Sequence, residues 1–65
     1  MFIVLTDYSS EEKIYVNPFY IKHMETMGDS YYGTSTLVRV DKETFKVSES
    51  PTEIINMIQK MHLGG

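Results

Sequence analysis

The chain has 65 residues, a net charge of −3 and no cysteine. This length predicts a single domain, residues 1–65, that buries only about 60% of the surface its unfolded chain exposes. The absence of cysteine excludes disulfides, thiolate metal sites and thiol nucleophiles. Because domains this small often gain burial by oligomerising, we expect a homo-oligomer. The six Lys and Arg residues are scattered, and this disfavours nucleic acid as the main ligand.

The first two predicted elements form a hairpin. Residues 2–8 are mostly apolar and β-branched, and the continuous apolar run predicts a strand that is buried on both faces or lies near an interface. That run is too short for a signal peptide or a membrane span, so we expect a cytoplasmic protein that does not insert into membranes. A polar turn at residues 9–12 leads to a second strand over residues 13–17, with Ile14 and Val16 on one face and Tyr15 on the other.

The third predicted element spans residues 20–27. Asn17-Pro18 ends the second strand, since proline has no N–H for the strand ladder. Strand is favoured here, with Ile21, His23 and Glu25 on one face. Helix remains an alternative, because Ile21, Met24 and Met27 also lie three residues apart.

The next segments predict a loop and a second hairpin. A loop from Gly28 to Gly33 is bounded by glycine at each end. Strands over residues 34–40 and 43–48 are joined at Asp41-Lys42. Pairing them directs Arg39 and Lys46 outward and gathers an inward apolar set: Val38, Val40, Phe45 and Val47.

The C-terminal segment predicts a helix over residues 51–62. Ser50 is its N-cap, Pro51 takes the first helical position, and Glu53 completes a capping box. One face is apolar at helical spacing, which we call the helix stripe: Ile54, Met57, Ile58 and Met61. The predicted fold class is mainly β (α+β), a small antiparallel five-strand meander or partly open barrel with one C-terminal helix. The helix stripe is expected to pack on the sheet of its own or a neighbouring subunit.

The sequence offers no catalytic or metal-binding constellation. The stretch GDSYYGTS resembles a phosphate loop but has Thr34 where the loop lysine belongs and leads into a strand. His23 and His62 lack a converging third ligand, and the carboxylates Glu11, Glu12, Glu43 and Glu49 are expected to be solvated in turns. We therefore predict no enzyme activity, no metal and no cofactor.

The five tyrosines suggest a recognition surface. Tyr8, Tyr15 and Tyr20 have a structural alternative as cross-strand partners on a sheet face. Tyr31 and Tyr32 lie in the glycine-bounded loop and are the predicted contact residues. Arg39 would supply charge-assisted contacts to a phosphate.

The order of residues along the chain resembles the FlbD family of small bacterial proteins, often encoded among flagellar genes. The matching positions are Leu5-Thr6, Asn17-Pro18, Ile21, Met24-Glu25, Phe45, Val47, Glu49-Ser50, Glu53-Ile54 and Ile58. The resemblance implies a small β-meander with a C-terminal helix, no known enzymatic activity, and a role through protein contacts. The chain departs from the family pattern at residues 9–12, at residues 28–33 and at Lys42-Glu43.

These departures leave the flagellar role open, and a phage-encoded adaptor or inhibitor is an alternative. A weaker likeness to CsrA-type RNA-binding proteins is opposed by Asp7, which stands where a basic residue is expected. Our first hypothesis is a non-enzymatic, self-associating protein-interaction module that acts as an adaptor or inhibitor of a protein partner. The second is an oligomer that binds and sequesters a small molecule or nucleotide signal, as in phage anti-defence, at its subunit interfaces.

Overall fold

The computed structural model describes residues 1–29 and 33–64. It contains five strands and one C-terminal helix, which confirms the predicted fold class. The strands are β1 (Ile3–Thr6), β2 (Lys13–Val16), β3 (Ile21–Asp29), β4 (Gly33–Val40) and β5 (Glu43–Val47), and the helix α1 is Pro51–Gly64.

The strands form two antiparallel sheets, a hairpin of β1 and β2 and a meander of β3, β4 and β5. A single bridge between Asp7 and Val47 joins them. Beside it, the N–H of Tyr8 donates to the Lys46 carbonyl and the N–H of Ser48 donates to the Thr6 carbonyl, each at 2.9 Å. The described residues therefore form neither one continuous meander nor a closed barrel.

A short 3₁₀ helix, Pro18–Tyr20, separates the two sheets along the chain. Asn17 caps it, because its side-chain oxygen accepts the N–H of Phe19 at 3.0 Å. The proline stands at the start of the turn, where its missing N–H costs nothing. The sequence signal at Asn17-Pro18 was correctly placed, but it marks a capped turn between sheets rather than a simple break between neighbouring strands.

Strand β1 is buried on one face only. Ile3 and Leu5 are 4% and 0% exposed, whereas Phe2 and Val4 are 63% and 41% exposed. The alternative, a position near an interface, stays a prediction, but burial on both faces is therefore wrong. The reason is that the helix packs against the inner face of β1 and of β3, and nothing described covers the outer face.

The core lies between the inner faces of the two sheets and the helix. Its buried members come from four strands and α1: Ile3, Leu5, Val16, Val38, Val47 and Ile54. A half-buried ring surrounds them: Ile14, Ile21, Met24, Val40, Phe45, Met57, Ile58 and Met61. The helix stripe thus packs on the core of its own chain.

A β-bulge alters the faces of β3. The register shifts between Ile21, which pairs with Val40, and His23, which pairs with Arg39. Lys22 is the extra residue, so Ile21 and Met24 both reach the core while His23 stays exposed. The predicted grouping of Ile21 with His23 is wrong for this reason. The bulge explains the three-residue spacing of Ile21 and Met24, whereas Met27 is exposed.

The strands β3 and β4 run further than the sequence indicated. Gly28 pairs with Thr34 and Asp29 pairs with Gly33, so both predicted loop glycines belong to strands. Gly33 has φ +89°, a conformation that explains glycine there. Tyr31 and Tyr32 lie outside the described residues.

Candidate functional site: an exposed apolar face on the first hairpin

Three apolar side chains share the outer face of the β1–β2 hairpin. Val4 and Tyr15 are register partners, and Phe2 lies two residues before Val4 on the same face of the pleat. Tyr15 is 67% exposed. We call Phe2, Val4 and Tyr15 the hairpin patch. Isolated exposed apolar residues are normal, but a contiguous group of large ones marks a contact surface.

A polar cluster borders the hairpin patch at one end. Thr6 and Lys13 form the next same-face pair, and the Lys13 amine donates to the Thr6 hydroxyl at 3.2 Å. The Glu49 carboxylate accepts both the Thr6 N–H and the Thr6 hydroxyl, each at 2.8 Å. An apolar centre with a hydrogen-bonded polar rim is the usual anatomy of a protein interface.

Glu49 was expected to be solvated, and that expectation is wrong. Its carboxylate instead fastens the segment before the helix to the end of β1, across 43 residues of sequence. No local pattern indicates such a contact, since the partner Thr6 lies at the far end of the chain.

Further exposed aromatic residues lie on the 3₁₀ turn. Phe19 and Tyr20 are 71% and 64% exposed. A small apolar groove opens between this turn, the N-terminus and the helix, lined by Met1, Pro18, Phe19, Ile58 and Met61. Two members of the helix stripe therefore have one side in the core and one side at this groove.

The outer face of the three-stranded sheet is polar. A shallow depression there is lined by His23, Glu25, Leu37, Arg39 and Thr44. His23 Nε2 lies 3.3 Å from Glu25 Oε1, and both side chains are more than half exposed. The depression carries charges of both signs, so its electrostatics favour no single class of ion.

The predicted site residues are not brought together within the described part of the chain. Arg39 is exposed and lines the depression, and the helix stripe lies on the core. Of the other tyrosines, Tyr8 carries the Lys46 amine 4.7 Å above its ring, while Tyr15 belongs to the hairpin patch. The sequence analysis placed Tyr15 on the face opposite Ile14 and Val16 and gave it an alternative role as a cross-strand partner. The structure pairs it with Val4 and leaves it exposed.

Asp7 shows the one resolved shift in acidity among the described groups. The backbone N–H and hydroxyl of Ser10 and the N–H of Ser9 donate to its carboxylate, and these bonds lower the pKa of Asp7 from 3.8. The shift belongs to a tight turn, with Asp7 accepting bonds from the residues that follow it. It is a structural feature, unlike the paired shifts of an acid–base site.

Metal-ligand clusters and membrane-spanning helices are both absent from the described residues. Among the side chains of residues 1–28 and 33–61, no three His, Asp or Glu groups converge as metal ligands. Within residues 1–29 and 33–64, no helix combines the length and apolarity that crossing a membrane requires.

Comparison of the chain with protein-family models, with curated proteins and with solved structures finds no match in any of the three.

Proposed function

We propose that the protein is a non-enzymatic interaction module that associates with itself and acts as an adaptor or inhibitor of a protein partner in the cytoplasm. The observation that carries this proposal is the hairpin patch. Phe2 and Tyr15 are each more than 60% exposed on a face that the fold of one chain leaves uncovered.

The energetics favour a protein partner for this surface. Full burial of one large apolar side chain is worth roughly 1.5 to 3 kcal/mol, and aromatic residues dominate the centres of interfaces because they bring large area at low entropy cost. At the rim, the Thr6 N–H and hydroxyl already bond within the chain, and the Lys13 amine donates one bond to Thr6. A partner therefore gains apolar burial without having to satisfy Thr6.

The lack of catalysis is supported by the state of the polar residues. The Glu49 carboxylate is occupied by Thr6, and the Asp7 carboxylate by its own turn. His23 and Glu25 are paired at the surface rather than in a cavity that excludes water. These contacts support a non-enzymatic role.

A photo-crosslinking amino acid placed at Tyr15, in the native host, tests the proposal. We expect a discrete protein adduct at Tyr15, lost when Val4 is changed to Thr. The matched control places the same group at Thr44, which is exposed on the other sheet. Identical adducts from both positions, or no discrete adduct at Tyr15, would contradict an interface at the hairpin patch.

Binding of a small anionic ligand is a second candidate function. Its support is the exposed Arg39 beside His23 in the depression of the outer sheet face. Glu25 on the same face opposes an anion, so this candidate ranks lower. Thermal-shift screening against nucleotides tests it: stabilisation that is lost in Arg39→Gln, or in Tyr31→Ser with Tyr32→Ser, would favour this candidate.

A further inference from the structure

Strand β3 is the long open edge of the molecule. It has nine residues and, among the strands that the structure describes, pairs only with β4. Its other side presents backbone N–H and C=O groups that a further strand could pair. No strand among the described residues pairs with this side of β3.

The bulge at Lys22 determines which β3 side chains lie on the outer face of the sheet and which on the inner face. Beyond the bulge, His23 and Glu25 stand on the outer face, and Met24 turns toward the core. The outer face of the edge therefore carries a base and an acid two positions apart. Their side chains already lie within 3.3 Å of each other in one chain.

This spacing is complementary to itself in an antiparallel pair. When two identical strands pair about a two-fold axis, residues on the same face must stand opposite each other, so the axis passes through one residue position. An axis at Met24 places His23 of each copy opposite Glu25 of the other. Two acid–base pairs then flank the axis on one face, and the two Met24 side chains meet on the inner face.

The neighbouring registers are less favourable. An axis at Glu25 places two carboxylates directly opposite each other, which is destabilising. An axis at His23 places two imidazoles opposite each other and sets the bulge residue beside the axis, whereas an axis at Met24 leaves the bulge residue two positions away. An axis at Thr26 leaves Glu25 opposite the apolar Met27. Of these registers, only the one through Met24 places each imidazole opposite a carboxylate.

We propose that two copies of the chain pair through their β3 edges, antiparallel, with Met24 on the two-fold axis and His23 of each copy opposite Glu25 of the other. This proposal rests on the self-association proposed above and specifies its geometry. The pairing joins the two three-stranded sheets into one sheet of six strands. The hairpin patch belongs to the other sheet, so each copy keeps its patch available for a partner.

Charge variants test the pairing between copies. His23→Glu makes the outer face of the edge wholly acidic, and His23→Lys with Glu25→Lys makes it wholly basic. We expect the dimer dissociation constant of each variant alone to rise about tenfold or more, because like charges then stand opposite. An equimolar mixture of the two should form heterodimers at least as tight as the wild-type dimer. Glu43→Lys is the control, since it repeats the charge change of the Glu25→Lys substitution at an exposed residue near the turn, and should leave dimerisation unchanged.

A cysteine scan tests the register. The chain has no cysteine of its own, so one introduced thiol cross-links only with its copy in another molecule. Met24→Cys places two Cβ atoms about 4.5 to 5.5 Å apart across the axis, close enough for a disulfide after small adjustment. We expect oxidation to give covalent dimers with Met24→Cys and not with Thr26→Cys.

The outcomes separate this proposal from the one it rests on. A dimer that persists in both charge variants, with no cross-link at Met24, overturns the β3 pairing but leaves self-association standing. A cross-link at Thr26 alone overturns the register. A wild-type chain that stays monomeric at every concentration overturns self-association itself, and the β3 pairing with it.

Discussion

Among the described residues, two other than glycine adopt the left-handed backbone region, and both lie in hairpin turns. Asp41 has φ 56° and Glu11 has φ 63°. Aspartate tolerates this region because its short side chain bonds to the nearby backbone, whereas the longer glutamate gains no such compensation. The polar composition of residues 9–12 predicted the turn, but it did not indicate which residue carries the strain.

We predict that Glu11→Gly stabilises the protein. Glycine takes a positive φ without steric cost, so we expect the free energy of unfolding to rise by about 0.5 to 1 kcal/mol. Glu12→Gly is the matched control, since Glu12 has a negative φ and gains nothing. Urea denaturation measures both. A loss of stability in Glu11→Gly equal to that in Glu12→Gly would contradict the argument.

Asp7 makes the first turn sensitive to acid. Because hydrogen bonds from Ser10 and Ser9 lower its pKa below 3.8 in the folded state, their stabilisation is fully present above that value. It is lost as the pH falls through the lowered pKa. We predict that Asp7→Asn narrows the difference in melting temperature between about pH 5 and about pH 2 relative to wild type. An NMR titration of the Asp7 carboxyl that gives a pKa at or above 3.8 would contradict this prediction.

At the scale of elements, the start of the helix was easier to predict than the faces of the strands. The Ser50 hydroxyl accepts the Glu53 N–H at 3.1 Å and lies 3.4 Å from its carboxylate, so the N-cap stands where the sequence placed it. Capping involves residues three apart, which a local pattern contains. The bulge in β3 depends instead on pairing with β4 and on contact with the helix. The alternation of polar and apolar residues along the sequence indicates neither of these contacts.

The candidate site was predicted less well, because it depends on which apolar side chains the folded chain leaves exposed. The apolar run of β1 shows that the strand is hydrophobic, but only the placement of α1 decides which face is buried. Val4 was therefore expected inside and lies outside. Tyr31 and Tyr32, the predicted contact residues, fall outside the described residues and stay a prediction.

Two adjacent isoleucines of α1 provide a matched test of the helix as the cover of the core. Ile54 is 0% exposed and Ile55 is 45% exposed. We predict that Ile54→Ala lowers the free energy of unfolding by about 2 to 5 kcal/mol, because it leaves a cavity, whereas Ile55→Ala changes it by about 0.5 kcal/mol or less. Thermal or urea denaturation measures both changes. Equal effects would mean that α1 is not docked as described.

At the scale of the whole molecule, the chain combines a small core with a large uncovered surface. Six hydrophobic residues are buried among the described ones, and eight large apolar residues are exposed. A domain of this size supplies only about 3 to 5 kcal/mol from its core, and association is a common way to add to it. The open β3 edge and the hairpin patch are separate surfaces, so one can join copies while the other binds a partner.

Sedimentation equilibrium of the wild-type chain over a range of concentrations tests self-association most directly. We expect the wild-type chain to change reversibly from monomer to dimer as its concentration rises from about 1 μM to about 1 mM, the range of ordinary specific associations. We also expect the wholly acidic variant, His23→Glu, to form dimers only at higher concentration. A single monomeric species throughout this range would contradict self-association.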